Sequence, residues 1–296
     1  MDKLKKLWCD VRKNRECYFM LMPFMILFLI FTVVPVVMSL PVGFTDFNMV
    51  QPPEFVGLDN YINLFLSDRI FTKAVRVTII FVVVTGPFSY IICFILAWLI
   101  NGLPKRLRSF FTLIFYIPSM ANVYSVWKII FSGDMNGWIN SFLIESGFIQ
   151  SPVQWLTDSR YILGVTIVVQ LWLSLGAGFL AFSAGLRNID RNLFEAAYID
   201  GLDSKWHELV YIVIPSMKPQ MLFAGVMQIV SSFTAGTIAQ ELVGFPSTDY
   251  QAHTVMTHAY DYGWVRWEMG YASAICTVLF VVMFLCNKII SRLFKE

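Results

Sequence analysis

The chain has 296 residues, of which 57% are hydrophobic and 14% are charged, and its mean hydropathy is +0.64. Soluble globular domains carry about 25% charged residues, so this composition argues against a soluble domain and indicates an integral membrane protein. The formal net charge of +2 argues against the concentrated basic surface that nucleic-acid-binding proteins use.

Six apolar segments are long enough to cross a membrane as helices, which takes about 20 residues each. The first follows a basic segment at residues 1–17, but it is too long for a signal-peptide core and lacks a small-residue cleavage site, so we expect a retained helix. An outer loop at residues 41–74 separates it from a core of five helices at residues 75–292. The predicted spans cover residues 18–40, 75–100, 109–131, 161–185, 219–241 and 269–290.

Most of the 22 Lys and Arg residues fall on one side of this predicted topology. They precede the first span, follow the sixth, or lie in the loops between the second and third and between the fourth and fifth. Loops rich in Lys and Arg stay in the cytoplasm, so both termini are predicted to be cytoplasmic. An even number of spans requires the same arrangement.

The third and fifth spans carry more polar residues than the other spans, among them Ser125, Lys128, Gln228 and Thr234. Polar groups in hydrocarbon need partners from protein or water. These two helices are therefore expected to face the interior of a helix bundle or a wet cavity. Hydrogen bonds between packed helices would explain a single Ser or Thr equally well.

The longest predicted cytoplasmic loop, at residues 186–218, has the pattern of two short helices joined by a corner. Asp190 or Asn192 can cap the first helix, and Gly201 can end it in the left-handed conformation. Ser204 can cap the second helix. Apolar residues recur there at i, i+3, i+4 and i+7, namely Trp206, Leu209, Val210 and Val213. The spacing leaves two interpretations open, a docking element for another protein and an amphipathic connector on lipid headgroups.

This loop contains the string EAAYIDG at residues 195–201 and the string IVIP at residues 212–215. The two strings resemble the EAA signature of ABC importer permeases, in which EAA, three residues, Gly and nine residues precede Ile-x-Leu-Pro. We call residues 186–218 the EAA loop. Two departures are visible, since ten residues separate Gly201 from Ile212, and Ile214 replaces Leu. One extra residue is expected to rotate the second helix by about 100° relative to the first.

Strings outside the loop resemble sugar-type permeases of the maltose and glycerol-phosphate kind. They are FVGLDNYINLF at residues 55–65 and AYDYGWVRWEMGYASA at residues 259–274. The resemblance implies an all-α, type I ABC importer permease fold with six transmembrane helices and a core permease domain at residues 75–292. It also implies a permease that passes a sugar or oligosaccharide into the cytoplasm by alternating access. An ABC permease for a non-sugar solute stays open as the alternative.

The resemblance further implies that the EAA loop forms a coupling helix that docks on a cytoplasmic ATPase subunit. The docking positions would be Glu195, Ala196, Ala197, Gly201, Ile212 and Pro215. The chain has no GxxxxGK[ST] string, so ATP and Mg²⁺ are expected on two partner ATPase subunits. The chain itself is expected to be a transport subunit with no enzyme activity and no cofactor. A second homologous permease and an extracytoplasmic sugar-binding protein complete the expected complex, in a bacterial cytoplasmic membrane.

Sugars are usually held by aromatic faces together with amide and hydroxyl groups, and such residues occur on the third, fourth and fifth spans. The candidates for the substrate pathway are Asn122, Tyr124, Trp127, Gln170, Trp172, Gln228 and Ser231. Packing or anchoring at the membrane interface would explain each Trp and Tyr as well.

Two other classes of function find less support in the sequence. An ion-coupled secondary transporter would need carboxylates within the membrane, whereas the acidic residues here lie in loops or at helix ends such as Glu241. A membrane-embedded enzyme would need a nucleophile with its base or a set of metal ligands. His207, His253 and His258 are scattered along the chain, so no metal site is expected.

Overall fold

The computed structural model describes residues 13–121 and 124–293 of the chain. Its first helix, α1 (Arg15–Val42), contains the predicted span at residues 18–40. A π-helical turn at Leu29–Val33 interrupts it, and Pro23 and Pro41 lie within it. No residue of α1 is buried, and most of its apolar side chains are exposed, although its last part contacts the final helix of the chain.

A hairpin and a short helix occupy most of the expected outer loop at residues 41–74. The elements are β1 (Thr45–Asp46), β2 (Glu54–Phe55), α2 (Asp59–Ile62) and a π-helical turn (Asn63–Ser67). The two strands pair antiparallel, with Thr45 opposite Phe55. Asp68 then caps the next helix, because its carboxylate accepts a hydrogen bond from the Phe71 N–H at 2.9 Å. That cap lets the second predicted span begin at Arg69 instead of residue 75.

The middle of the chain is a series of helices. Their bounds are α3 (Arg69–Asn101), α4 (Lys105–Ala121), α5 (Tyr124–Ile130), α6 (Trp138–Glu145), α7 (Ile162–Leu173) and α8 (Ala177–Arg187). The expected third span, at residues 109–131, falls on α4 and α5 and on residues 122–123, which lie outside the described part. Helices α7 and α8 follow one another closely and together form one apolar stretch, Ile162–Arg187.

The last third of the chain begins with the EAA loop. Its helices are α9 (Arg191–Ile199), α10 (Lys205–Ser216), α11 (Lys218–Phe233), α12 (Gly236–Val243), α13 (Val255–Tyr260) and α14 (Met269–Leu293). Helices α10 and α11 meet at a bend of 80°. Pro219 lies in the first turn of α11, but Pro215 precedes the bend and belongs to α10. The chain leaves the helical conformation at the buried Met217, between the two prolines. The fifth predicted span, at residues 219–241, therefore begins near Pro219.

Helices α3, α8 and α11 pack against one another and form the centre of the molecule. Their apolar core includes Cys93, Phe179 and Phe182. Polar side chains pair within the same core, as where Thr85 Oγ1 donates to Ser232 Oγ at 3.0 Å. Pairing of this kind satisfies polar groups that lie in an apolar bundle.

Four helical stretches of the described residues are long and apolar enough to cross a membrane. They are Arg15–Val42, Arg69–Asn101, Ile162–Arg187 and Met269–Arg292. The bent pair formed by α10 and α11 adds a fifth if its two arms count as one broken span. The prediction of an all-α membrane protein is confirmed for the described residues, where β1 and β2 form a sheet of two short strands. The number of six spans stays a prediction.

Candidate functional site

The corner of the EAA loop is built from caps at the predicted positions. Asp190, rather than Asn192, caps α9, because its carboxylate accepts a hydrogen bond from the Asn192 N–H at 3.0 Å. Ser204 caps α10 by accepting from the Trp206 N–H at 3.3 Å. Gly201 follows α9 with a φ of 88°, in the left-handed region where a side chain would be strained. Local sequence therefore determines the shape of the corner.

Hydrogen bonds on both sides of the corner hold α9 and α10 together. The Leu202 N–H bonds back to the Ala197 carbonyl at 2.9 Å, as in a Schellman motif. On the exposed side, Glu208 accepts from Tyr198 Oη at 3.0 Å and from Lys205 Nζ at 2.6 Å. These contacts fix the orientation of the first helix relative to the second.

The EAA loop has one side packed against the protein and one side exposed. Phe194 packs against the core that contains Leu209 and Val213. The exposed docking candidates are Glu195, Ala196, Gly201 and Pro215, and Ala197 is half-buried. Ile212 is buried, so its side chain supports the loop from inside rather than forming part of the accessible surface.

A π-helical turn at Leu209–Val213 lies where the loop departs from the family spacing. A π turn is closed by hydrogen bonds from i to i+5 and holds about one residue more than an α-helical turn. The turn thus offers a place for the additional residue between Gly201 and Ile212. In that case the residues after Val213 keep their orientation relative to α9, and the rotation of about 100° expected from the sequence does not arise.

Two adjoining cavities open among the helices of the core. They share the lining residues Ser119, Leu173 and Ser231, and their volumes are about 330 and 160 Å³. We call the two together the central cavity. Gln228 lines its larger part, Tyr124 and Gln170 line its smaller part, and Ser231 lines both.

The two glutamine amides of the central cavity differ in how completely they are bonded. Gln228 is buried, with Oε1 accepting from Ser89 Oγ at 3.2 Å and Nε2 donating to the Ser174 carbonyl at 3.3 Å. Gln170 is 2% exposed, and its Nε2 donates to Ser231 Oγ at 3.3 Å. Its Oε1 is buried and has no hydrogen-bond partner within the described residues. Only one of the two amides therefore has bonding capacity left for a ligand.

The tryptophans among the substrate-pathway candidates pack beside the cavity. The ring centroids of Trp127 and Trp172 lie 6.1 Å apart, and Trp127 also stacks on Phe131 at 5.8 Å. Neither tryptophan is among the described residues that line the central cavity. Asn122 lies outside the described residues. The structure thus brings four of the seven candidates to the cavity, namely Tyr124, Gln170, Gln228 and Ser231.

A polar cluster at the start of α3 escaped the sequence analysis. Its members, which we call the Asp68 cluster, are Asp68, His253, His258, Tyr262 and Tyr271. Asp68 Oδ2 lies 3.0 Å from His258 Nε2 and accepts hydrogen bonds from Tyr271 Oη at 3.0 Å and Tyr262 Oη at 3.3 Å. His253 Nε2 lies 3.0 Å from His258 Nδ1. One carboxylate thus joins α3 to α13 and to the start of α14.

Burial and the neighbouring polar groups together determine the protonation of the Asp68 cluster. Burial, together with the neighbouring His258, lowers the pKa of His253 to about 4. Burial also lowers the pKa of His258, although Asp68 opposes this shift. Burial raises the pKa of Asp68, but the hydrogen bond from the Phe71 N–H and the nearby His258 outweigh it and hold the pKa below 3.8. At neutral pH both histidines are therefore neutral and Asp68 is ionised.

Two histidines that look scattered in the sequence are thus neighbours in the fold. The sequence shows a pair of histidines in one aromatic-rich loop, which could have indicated that the two lie close together. It does not indicate the contact between His258 and Asp68, which are 190 residues apart. The described part of the chain contains no group of three His, Cys, Asp or Glu side chains placed to hold a metal ion. The geometry is that of a structural joint between helices.

Comparisons with known proteins agree on one family. The family model "Binding-protein-dependent transport system inner membrane component" matches residues 89–295. The probable ABC transporter permease protein YesP of Bacillus subtilis (strain 168) is 31% identical over 98% of this chain and 94% of its own length. The lactose transport system permease protein LacF of Rhizobium radiobacter is 32% identical over 73% of this chain and 74% of its own. The arabinooligosaccharides transport system permease protein AraP of Bacillus subtilis (strain 168) is 27% identical over 97% and 91%.

Solved structures share the fold over nearly the whole chain. A bacterial ABC transporter involved in the import of the acidic polysaccharide alginate matches with a TM-score of 0.79 and 24% identity, covering 98% of each chain. The bacterial alginate ABC transporter in complex with an alginate pentasaccharide-bound periplasmic protein matches with a TM-score of 0.77 and 23% identity, covering 96% of each chain. These matches confirm the predicted type I permease fold.

Proposed function

The chain belongs to the family of binding-protein-dependent transport system inner membrane components, and we propose that it is the permease subunit of an ATP-driven sugar importer. It is a multi-pass membrane protein and a transport subunit, not the ATPase. The observation that carries the proposal is the corner of the EAA loop, which is held by hydrogen bonds between its two helices and exposes Glu195, Ala196 and Gly201.

The substrate class is inferred from the relatives and from the central cavity. LacF is a permease of a lactose transport system, and AraP is a permease of an arabinooligosaccharide transport system. The amide and hydroxyl groups of Gln170 and Ser231 line the cavity and suit the hydroxyl groups of a saccharide. A sugar or oligosaccharide is therefore the proposed cargo.

The EAA loop is the proposed docking site for a cytoplasmic ATPase subunit. Glu195 is exposed and supplies a carboxylate for a charge-assisted contact with a basic partner residue. Ala196 leaves room for a close approach, and Ile199 beside it is 87% exposed. A large apolar side chain that is exposed so fully fits a surface that a partner covers. ATP and Mg²⁺ are proposed to bind to two such ATPase subunits, and this chain is proposed to need no cofactor of its own.

Two more partners belong to the proposal. A second homologous permease would complete the translocation pathway, and the unburied helix α1 offers it an apolar surface within the membrane. An extracytoplasmic sugar-binding protein would deliver the cargo on the other side. A cavity of about 930 Å³ lined by charged residues such as Asp46, Arg69 and Glu268 offers that protein a polar docking surface. The solved structure of the alginate transporter with its periplasmic protein supports this arrangement.

The proposed orientation places both termini and the EAA loop in the cytoplasm of a bacterial cell, as the distribution of Lys and Arg predicts. ATP binding and hydrolysis would then move the EAA loop and bias the helices between two states. The central cavity would be open to the outside in one state and to the cytoplasm in the other. A ligand that binds two states unequally shifts the equilibrium between them, which is the physical basis of this coupling.

Reconstitution of the complex that co-purifies with the tagged chain tests the proposal. Proteoliposomes loaded with ATP and Mg²⁺ are supplied with the proposed sugar-binding protein and with radiolabelled lactose or arabinotriose. We expect saccharide uptake that requires ATP and the binding protein.

Uptake without ATP, driven by a proton or sodium gradient, would contradict the proposal and favour the secondary transporter. ATP-dependent uptake of an amino acid or phosphate with no saccharide uptake would favour the non-sugar ABC permease.

A further inference from the structure

The central cavity is lined by polar but uncharged side chains. Its described lining includes Ser119, Tyr124, Gln170, Gln228, Ser231 and Thr234, and contains no Lys, Arg, His, Asp or Glu. The lining thus offers hydrogen bonds to a ligand but no counter-charge.

The bonding state of Gln170 defines the kind of group that the cavity requires. Its amide nitrogen is engaged by Ser231, and its buried Oε1 has no partner within residues 13–121 and 124–293. Buried polar atoms in folded proteins are almost always hydrogen-bonded, so an unpaired acceptor on a residue that lines a cavity leaves a place for a donor from a ligand. Gln228 lines the same cavity, and both polar atoms of its amide have partners, in contrast to Gln170.

A saccharide hydroxyl can donate to Gln170 Oε1, and an ionised carboxylate cannot, because it carries only acceptors. A carboxylate that enters the cavity would also lose hydration without meeting a cation from the described lining of this chain. Burying an unpaired charge is among the most unfavourable events in a protein interior. Both effects act in the same direction, in favour of an uncharged ligand.

We propose that the central cavity accepts uncharged saccharides and excludes anionic ones such as uronate oligomers, with Gln170 accepting a hydrogen bond from a substrate hydroxyl. The inference rests on the proposed function and narrows its substrate class. It separates this chain from its structural neighbour, a transporter involved in the import of the acidic polysaccharide alginate. The relatives do not show whether the substrate of this chain is charged, because they include permeases named for lactose and for sulfoquinovosyl glycerol.

Direct binding of saccharides to the purified importer tests the proposal. The binding protein is left out, so its own selectivity does not affect the measured affinities. Calorimetric titrations compare neutral saccharides (lactose, arabinobiose and arabinotriose) with digalacturonate and an alginate disaccharide. At least one neutral saccharide is expected to bind ten-fold or more tightly than either uronate. Gln170→Met is expected to weaken that binding about ten-fold. The matched control is Gln51→Met, at an exposed position of the outer loop, which should bind as the wild type does.

A gain-of-function variant guards against simple loss of folding. Ser231→Lys places a cation in the cavity and is expected to raise the affinity for digalacturonate while lowering the affinity for the neutral saccharide. Equal affinities of the wild type for neutral and uronate saccharides would overturn the inference. So would the absence of saccharide binding to a complex that still imports sugar with ATP. Failure to import any saccharide with ATP would instead overturn the proposed function, so the two failures are distinguishable.

Discussion

The Asp68 cluster and the EAA loop use their polar side chains in opposite ways. In the cluster, the half-buried Asp68 and the buried His258 are bonded to other groups of the same chain. In the loop, Glu195 and Gly201 are exposed, and the bonds between α9 and α10 fix their position. The first region joins helices within the chain. The second is rigid in itself and turned outward, which is the expected design of a surface that transmits force to a partner.

The two regions are expected to respond differently to substitution. A network of paired polar groups that joins helices is costly to break. A preorganised exposed corner loses little on burial beneath a partner, because its backbone is already ordered. Substitutions in the Asp68 cluster should therefore change stability first, and substitutions in the EAA loop should change transport first.

Removal of the shared carboxylate should have the largest effect on stability. Asp68→Ala leaves His258, Tyr262 and Tyr271 without their common acceptor and removes the cap of α3. An unpaired buried polar group costs about 1–3 kcal/mol, so the total loss should reach about 3 kcal/mol or more. The unfolding midpoint in detergent should fall by about 6 °C or more. Asp59→Ala, at an exposed position nearby, should leave it unchanged, and equal midpoints for the two variants would contradict the structural role of the cluster.

Acid should weaken the same region. Burial and His258 hold the pKa of His253 at about 4 in the folded chain, against 6.5 in the unfolded chain. The unfolded state therefore takes up the proton first as the pH falls. The stability that the neutral histidine provides is complete above pH 6.5 and is lost towards pH 4, by up to about 3 kcal/mol.

The unfolding midpoint measured between pH 7.5 and pH 4 reports this loss. His253→Gln should flatten the pH dependence, whereas His207→Gln, at an exposed position of the EAA loop, should not. An unchanged slope in His253→Gln would show that other groups carry the pH dependence.

Strain at the corner of the EAA loop should uncouple ATP hydrolysis from uptake. Gly201→Val forces a branched side chain into the left-handed conformation, at a cost of about 1–2 kcal/mol, and should distort the exposed corner. Uptake should fall about ten-fold while the chain remains inserted in the membrane. Gly147→Val is the matched control, because Gly147 also has a positive φ and open space around it but lies outside the loop. Equal uptake by the two variants would argue against a special role of the corner.

The smallest effect is expected where the loop departs from the family spacing. Deletion of the exposed Tyr211 shortens the π turn at Leu209–Val213 to an ordinary helical turn and restores the nine-residue spacing. Uptake should stay within about two-fold of the wild type. Insertion of one alanine after Tyr211 should rotate the remainder of α10 by about 100° and reduce uptake strongly. Loss of uptake in the deletion variant would refute the interpretation that this turn absorbs the additional residue.

Features that depend on short-range interactions were predictable from the sequence, whereas features that depend on packing between distant segments were not. The caps Asp190 and Ser204 and the left-handed Gly201 depend on neighbours within a few residues, and their predicted positions are confirmed. The burial of Ile212 was not predicted, because it depends on how α10 packs against the core. The π turn was missed for a similar reason, since one additional residue is compatible with either a rotated helix or a wider turn.

Long-range pairing set the limit of prediction. The sequence indicated polar and aromatic residues on several spans, but it did not indicate that Gln170 lies against Ser231 or that Gln228 is fully bonded. The contact between Asp68 and His258 joins residues 190 positions apart, and no local pattern marks it. Which residue types are present was readable from the sequence, whereas their partners required the fold.

The docking role of the EAA loop is tested most directly by purification of the tagged chain from its native membrane in mild detergent. Mass spectrometry then identifies the proteins that accompany it. Wild-type chain is compared with Glu195→Lys and with Glu145→Lys, which reverses a charge at an exposed position outside the EAA loop. Wild type and Glu145→Lys should recover a second permease and an ATPase, and Glu195→Lys should retain the permease and lose most of the ATPase. Equal recovery of the ATPase by all three, or recovery of the chain alone, would contradict the assignment of the EAA loop as the docking site.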